Sequence, residues 1–126
     1  MGELCILVGK KELQQAEIKH VAMEIIAKGK CEVIVVSMGE KGAMLVTNNI
    51  AEIITPPSVI RKSTVGAGDS MVGGIVFFLS KGKNLVEAVQ YGVACGTAAT
   101  MNPGTELCRK EDADRLFILI KTVGNA

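Results

Sequence analysis

The sequence predicts an α/β fold in which short strands are followed by three helices. Two kinds of segment support this fold class. Short apolar runs rich in Val and Ile suit buried strands, and longer segments whose apolar residues recur every three or four positions suit helices. No internal repeat or low-complexity linker interrupts this pattern, so we expect one α/β unit.

The first half of the chain begins with a predicted helix at residues 12–28, where apolar residues recur at helical spacing before Gly29 stops the pattern. Three strands are predicted next, at residues 31–36, 43–47 and 51–55. The first two strands flank the turn Ser37–Gly42, whose two glycines predict a hairpin. Pro56 and Pro57 stop the third strand. Residues 2–9 show no defined pattern.

The second half of the chain predicts three helices, at residues 69–79, 85–100 and 111–121. The first has large apolar side chains and no proline. The second contains many small residues, which allow another backbone or a flat ligand to approach closely. Asn102, Pro103 and Gly104 follow the second helix and predict a turn.

The central stretch is Ser63–Gly74, a glycine turn that leads into the first of these helices. Gly66 and Gly68 lack a Cβ, so their backbone can take positive φ and a ligand can approach it closely. The amides of Ala67, Gly68 and Asp69 are expected to form an anion site at the start of the helix. Asp69 would act as a general base beside a transferring phosphoryl group. A purely structural explanation stays open, because Asp is a common N-cap residue. The glycine spacing fits neither the dinucleotide fingerprint nor the P-loop.

The composition of the chain argues against several classes of function. The chain has 14 basic and 13 acidic residues and a net charge of +1, so it has no electrostatic basis for binding nucleic acid or an anionic membrane. The longest apolar run, Met71–Leu79, is too short to span a bilayer, and the start of the chain does not resemble a secretory signal. The four cysteines lack metal-site spacing, so we expect reduced thiols in a cytoplasmic protein.

The run STVGAGDSMVGG, at residues 63–74, resembles the C-terminal signature of the PfkB (ribokinase-like) carbohydrate kinases, and especially their phosphofructokinase branch. Residues 32–46 resemble the nucleotide-site hairpin of that family. Residues 91–108 resemble the helix and loop that close over the adenine in minor-type 6-phosphofructokinases. The resemblance implies the C-terminal portion of a doubly wound three-layer α/β/α sandwich. Residues 1–126 would be a single partial domain, the nucleotide-binding half of the kinase.

The resemblance implies ATP-dependent phosphorylation of a sugar phosphate of the fructose phosphate class, with Mg²⁺ as a cofactor. Asp69 would be the general base, and the anion hole would be formed by Gly66, Ala67 and Gly68. The nucleotide would be lined by Ser37, Gly39, Gly42, Val93 and Thr97, although tight helix packing is an alternative explanation for the last two. A monovalent cation such as K⁺ would be held by Ser63, Val65, Ala99, Asn102 and Gly104.

The family portion that would carry the sugar-binding residues and the lid has no counterpart in this sequence. We therefore expect the 126-residue chain alone to be inactive, and to form a homo-oligomer or dock onto a separate N-terminal half. Removing the preceding strands is expected to leave an open sheet edge at residues 31–36 or at a neighbouring strand. The alternative function is a non-catalytic nucleotide-binding or interaction remnant of a PfkB kinase.

Overall fold

A computed structural model describes residues 4–8, 15–29, 31–38, 41–48, 51–57, 59, 67–101 and 110–124. Within these ranges the first helix and the strands are β1 (Leu4–Val8), α1 (Gln15–Ala27), β2 (Val33–Ser37), β3 (Ala43–Val46) and β4 (Ala51–Ile54). The later helices are α2 (Ala67–Ser80), α3 (Leu85–Thr100) and α4 (Lys110–Gly124). The chain divides into two units, Met1–Ile53 and Ile54–Ala126, which are described separately. The single partial domain stays a prediction.

The first unit is built on a sheet with the strand order β1-β2-β3-β4. β1 and β2 are parallel, with Leu4 opposite Val33, and α1 lies between them in the chain. β2 and β3 are antiparallel, with Val36 opposite Met44, as expected for the predicted hairpin. The segment thus combines a β-α-β crossover with a hairpin, which confirms the predicted α/β class.

The core of the first unit explains why its strands are continuous apolar runs. Ile34, Val35 and Val36 of β2 are all buried, as is every residue of β3, so both faces of these strands are covered. One buried cluster joins β2 and β3 to α1 through Ala22, Ile26, Cys31, Ile34, Val36, Met44 and Val46. The amphipathic pattern predicted for α1 therefore corresponds to packing on the sheet.

The structure refines two expectations for the first unit. Residues 4–8, where the sequence showed no defined pattern, form β1, because a five-residue apolar run has no periodicity that distinguishes a strand from a helix. β2 itself is not an open edge, since it pairs with β1 on one side and with β3 on the other. Among the described strands, the edges are β4 and β1, the neighbour of β2.

The cysteines also differ from the expected uniformly reduced state. Cys31 is disulfide-bonded, whereas Cys95 is a buried thiol that forms no disulfide. The expectation of reduced thiols is therefore wrong for Cys31. Cysteine spacing alone does not determine pairing, because a disulfide depends on which chain segments fold next to each other.

The second unit consists mainly of α2, α3 and α4. The start of α3 is set by Asn84, whose side-chain oxygen accepts a hydrogen bond from the Glu87 backbone amide at 2.8 Å. The Asn84 side-chain nitrogen donates to the Glu87 carboxylate at 2.7 Å. This capping interaction explains why α3 begins at Leu85, and the helix spans the predicted residues 85–100. In the part of the chain that the structure describes, no helix is both long and apolar enough to cross a membrane.

The three helices of the second unit meet in an aromatic cluster of Phe77, Phe78, Tyr91 and Phe117. These are all the phenylalanine and tyrosine residues of the chain. Phe117 of α4 meets both Phe78 and Tyr91 edge-on, with centroid distances of 5.0 and 5.4 Å. Such edge contacts are favoured by the ring quadrupoles. The cluster therefore holds α4 against α2 and α3.

A polar bridge extends this cluster between α3 and α4. The Tyr91 hydroxyl donates to one carboxylate oxygen of Asp114 at 3.2 Å, and the Lys110 ammonium donates to the other at 2.8 Å. This hydrogen bond and the negative charge of Asp114 raise the pKa of Lys110 above its ordinary value. Asp114 thus connects the buried ring of Tyr91 to the exposed first turn of α4.

α2 and α3 approach each other closely through glycines. A Cβ atom on Gly92 would lie 2.5 Å from Cγ1 of Ile75 and 2.8 Å from the carbonyl oxygen of Met71. A Cβ on Gly74 would lie 2.8 Å from Sγ of Cys95 and 3.1 Å from Cα of Gly92. These separations are too short for real side chains, so the small residues noted in the sequence of α3 serve helix packing.

Candidate active site

The start of α2 provides an exposed group of backbone donors. Ala67, Gly68 and Asp69 are its first three residues, and the first four amides of an α-helix have no acceptor within the helix. Gly68 and Asp69 are exposed and Ala67 is half-buried. The helix dipole adds partial positive charge at the same place. The arrangement therefore suits an anionic ligand such as a phosphate.

Gly68 does not have the backbone conformation that was expected. Among the described residues, positive φ occurs at Gly29, Gly42 and Gly82, whereas Gly68 lies inside α2. The expectation of positive φ at Gly68 is therefore wrong, because the helix begins before it. A Cβ on Gly68 would meet no atom within 4 Å. The glycine instead keeps open space beside the helix start. Gly66 lies outside the described residues.

Asp69 is the third residue of α2, and this position tests the alternative that Asp69 is only a helix N-cap. An N-cap residue precedes the first helical residue, whereas Asp69 follows it by two positions. Asp69 is therefore not the N-cap of α2. A carboxylate in the first turn is still favoured by the helix dipole. Its side chain is exposed, so it is accessible to a substrate hydroxyl.

In the first unit, the predicted nucleotide hairpin has a tight turn. Ser37 ends β2, is half-buried and lies opposite Ala43. The amide of Met38 donates to the carbonyl of Gly42 at 2.8 Å, and Gly42 has a φ of 95°. Glycine is required there because other residues rarely adopt this conformation. Gly39 lies outside the described residues. The turn is thus a structural finding, and its contact with a nucleotide stays a prediction.

The predicted residues of α3 are buried. Val93 and Thr97 lie about one turn apart and are only 3% and 6% exposed. Ala99 is fully buried, and its carbonyl accepts the amide of Met101 at the end of the helix. The other four cation ligands lie outside the described residues, namely Ser63, Val65, Asn102 and Gly104. The base contacts and the cation site therefore stay predictions.

The described part of the chain contains no cluster of three or more His, Cys, Asp or Glu side chains able to hold a metal ion. One residue that sequence reasoning did not single out lies against the helix start. A Cβ on Gly96 of α3 would be 3.1 Å from the carbonyl oxygen of Ala67. The sequence signals for it are the many small residues of this helix and the four-residue spacing from Gly92, which places both glycines on one helix face.

An α/β fold with an exposed helix start is typical of proteins that bind a phosphate-bearing ligand. Comparison with known proteins identifies the family. The model of the pfkB family carbohydrate kinases matches residues 2–112 of the chain. The chain belongs to this family, as its glycine turn indicated.

Curated relatives are phosphofructokinases. The chain is 42% identical over 115 residues to the ATP-dependent 6-phosphofructokinase isozyme 2 of Escherichia coli, an alignment that covers 91% of this chain and 37% of the relative. It is 39% identical over 117 residues to the isozyme 2 of Mycobacterium tuberculosis, covering 93% of this chain and 34% of that protein. The chain thus spans only about a third of the length of these relatives.

Solved structures similar to this chain include phosphofructokinases. The crystal structure of Escherichia coli phosphofructokinase-2 in complex with potassium matches with a TM-score of 0.88 and 36% identity, over 94% of this chain and 41% of that one. A tetrameric inhibited form of the same enzyme matches with a TM-score of 0.84 and 34% identity, over 94% and 40% of the two chains. These matches confirm the predicted ribokinase-like fold class for the portion that the chain covers.

Proposed function

We propose that this chain is the ATP-binding portion of a kinase that transfers the γ-phosphoryl group of ATP to a hydroxyl of a fructose phosphate. Family membership and the names of the relatives support the class of reaction. The observation that carries the proposal is the exposed first turn of α2, where three backbone donors adjoin the Asp69 carboxylate. Acceptor specificity depends on the part of the family fold that this chain does not span.

The backbone at the start of α2 would bind the transferring group. The amides of Ala67, Gly68 and Asp69, together with Gly66 before them, would donate to the phosphoryl oxygens as negative charge develops there. The open space beside Gly68 fits this role, because a side chain at that position would occupy the volume that a phosphate needs. Fixed donors of this kind account for much of the catalysis of phosphoryl transfer.

Asp69 would accept the proton of the attacking hydroxyl. Asp69 is exposed and lies in the turn that carries the donors, so the base and the anion site belong to the same helix start. A general base raises the rate of such a step by about 10²- to 10⁴-fold. In this proposal the nucleotide is held by Ser37, Gly39, Gly42, Val93 and Thr97.

Bound ATP would supply the phosphoryl group, and Mg²⁺ would neutralise charge on it. A K⁺ ion beside the turn is part of the proposal, supported by the description of the Escherichia coli structure as a potassium complex. Its ligands would be oxygens of Ser63, Val65, Ala99, Asn102 and Gly104, and oxygen donors suit a hard cation.

The proposed catalytic unit is larger than this chain. Large apolar side chains are exposed on α2 and α4, with Val76 at 54% and Ile118 at 63%. Large apolar side chains exposed on helices are common sites of contact with another part of a protein. We propose that it is covered by the family's N-terminal portion or by a second copy of the chain. The tetrameric form of the Escherichia coli enzyme supports self-association within the family.

The test uses a chimera in which this chain replaces the matching 37% of Escherichia coli isozyme 2. Coupled ADP release is measured with fructose 6-phosphate and with fructose 1-phosphate. Asp69→Asn is expected to lower kcat at least 10²-fold and to leave the KM for ATP within about twofold, because Asn keeps the shape but accepts no proton.

Asp112→Asn is the matched control, since Asp112 is the third residue of α4 as Asp69 is of α2. It makes the same charge change in a helix first turn and is expected to retain kcat. An Asp69→Asn chimera that keeps more than about a tenth of the kcat would remove Asp69 from the base role. A parent chimera that binds ATP but transfers no phosphoryl group would favour the non-catalytic alternative.

A further inference from the structure

We propose that Gly96 is a positioning residue for the anion site at the start of α2. The inference rests on the proposed function, since it explains how the amides of Ala67, Gly68 and Asp69 are held in place. Gly96 contacts no substrate in this proposal. It acts through the backbone of Ala67, which packs against α3 at the position where Gly96 has no side chain.

The contact is specific in its geometry. A Cβ on Gly96 would lie 3.1 Å from the carbonyl oxygen of Ala67, 3.5 Å from Cβ of Met71 and 3.9 Å from the carbonyl carbon of Ala67. Two of these three atoms belong to the backbone of the first residue of α2, and backbone cannot rotate away as a flexible side chain can. A methyl group at position 96 would therefore displace the helix start by a few tenths of an ångström.

The other two glycines of this interface meet different parts of α2 and α3. Gly92 faces Ile75 and the carbonyl of Met71, one turn further into α2. Gly74 faces Cys95 and Gly92. Gly74 and Gly92 therefore set the separation of the two helices, whereas Gly96 sets the position of the residue that begins the anion site.

Phosphoryl transfer depends on the alignment of fixed donors with the reacting group, and a misplacement of 1 Å costs roughly 10²-fold in rate. A shift of a few tenths of an ångström is then expected to cost about three- to tenfold in kcat. Nucleotide contacts elsewhere would be unchanged. The expected signature of Gly96→Ala is a lower kcat with a KM for ATP within about twofold of the parent.

The experiment compares three glycine-to-alanine variants in the chimera with Escherichia coli isozyme 2. Gly96→Ala is expected to lower kcat at least threefold at a temperature where the protein is folded. Gly74→Ala crowds the same interface away from Ala67, so it is expected to lower Tm without this loss of kcat. Gly73→Ala, whose added Cβ meets no atom within 4 Å, is expected to change neither kcat nor Tm adversely.

A second measurement uses the 126-residue chain itself. The amide chemical shifts of residues 67–69 are expected to move in Gly96→Ala and to stay near the parent values in Gly73→Ala. This comparison shows whether Gly96→Ala displaces the start of α2, even if the chimera has no kinase activity.

The proposal is overturned if Gly96→Ala retains kcat within about 1.5-fold, or if Gly74→Ala loses as much kcat for the same loss of Tm. A Gly96→Ala protein that does not fold would also count against it, because the contact would then serve overall stability. Failure of the proposed function is separable. An active Asp69→Asn variant beside an impaired Gly96→Ala variant would refute Asp69 as the general base and keep the positioning role of Gly96. An inactive Asp69→Asn variant beside an unimpaired Gly96→Ala variant would refute only the positioning role.

Discussion

The rings of Phe78 and Tyr91 stack across the contact between α2 and α3, with their centroids 4.1 Å apart and their planes 5° from parallel. Phe117 of α4 meets both rings edge-on. Tyr91 therefore contacts rings of both other helices, and it is only 6% exposed. The stability of the second unit should depend strongly on this ring.

Tyr91→Ala is expected to lower the free energy of unfolding of the second unit by about 3–5 kcal/mol, the range for removing a large buried aromatic ring. Tyr91→Phe keeps the ring and removes the hydrogen bond to Asp114, so a loss of about 1 kcal/mol is expected. Urea unfolding followed by circular dichroism measures both. Equal losses in the two variants would show that the hydroxyl, and not the ring, stabilises the helices.

Gly68→Ala should separate folding from ligand binding. The added Cβ meets no atom of the protein and Ala is a better helix former, so Tm should be unchanged or higher. The same methyl group enters the proposed phosphate volume, so the affinity for ATP should fall roughly tenfold, or about 1.4 kcal/mol. Isothermal titration calorimetry measures the affinity.

Gly73→Ala is the control for this prediction, because it lies in the same helix and its Cβ also has open space. It is expected to leave the affinity for ATP unchanged. Unaltered ATP affinity in Gly68→Ala would place the nucleotide phosphates away from the start of α2.

Gly42→Ala tests the nucleotide role of the hairpin. A non-glycine residue at a φ of 95° is strained, so a loss of about 1–2 kcal/mol in stability is expected. Gly29→Ala imposes similar strain at a φ of 76° after α1. ATP affinity at a temperature where both variants are folded should fall only for Gly42→Ala. An equal fall in the two variants would assign the effect to stability and remove Gly42 from the nucleotide site.

The 126-residue chain alone is expected to show no sugar kinase activity and to self-associate. Phosphoryl transfer requires two substrates held in line, and the chain spans only about a third of the relatives' length. Coupled ADP release with several hexose phosphates measures activity, and analytical ultracentrifugation measures association. Val76→Gln, at an exposed apolar position of α2, should weaken association. A monomer that phosphorylates any of these sugars would refute the hypothesis that the chain is only the ATP-binding portion of a kinase.

Much of the local structure was predictable from the sequence because it is encoded locally. The helical spacing of residues predicted the observed bounds of α3. The glycine turn near Gly42 predicted the β2–β3 hairpin, and the run at residues 63–74 identified the family. Each of these signals lies within one short segment of the chain.

Tertiary structure decided what depends on residues distant in the chain. β1 is a strand because β2 pairs with it, and no pattern within Leu4–Val8 indicates that partner. The free or bonded state of each cysteine depends in the same way on which segments meet. The helical conformation of Gly68 follows from α2 beginning at Ala67, and the close approach of Gly96 to Ala67 depends on how α2 and α3 pack. Such contacts are set by steric fit between elements, which periodicity and propensity do not encode.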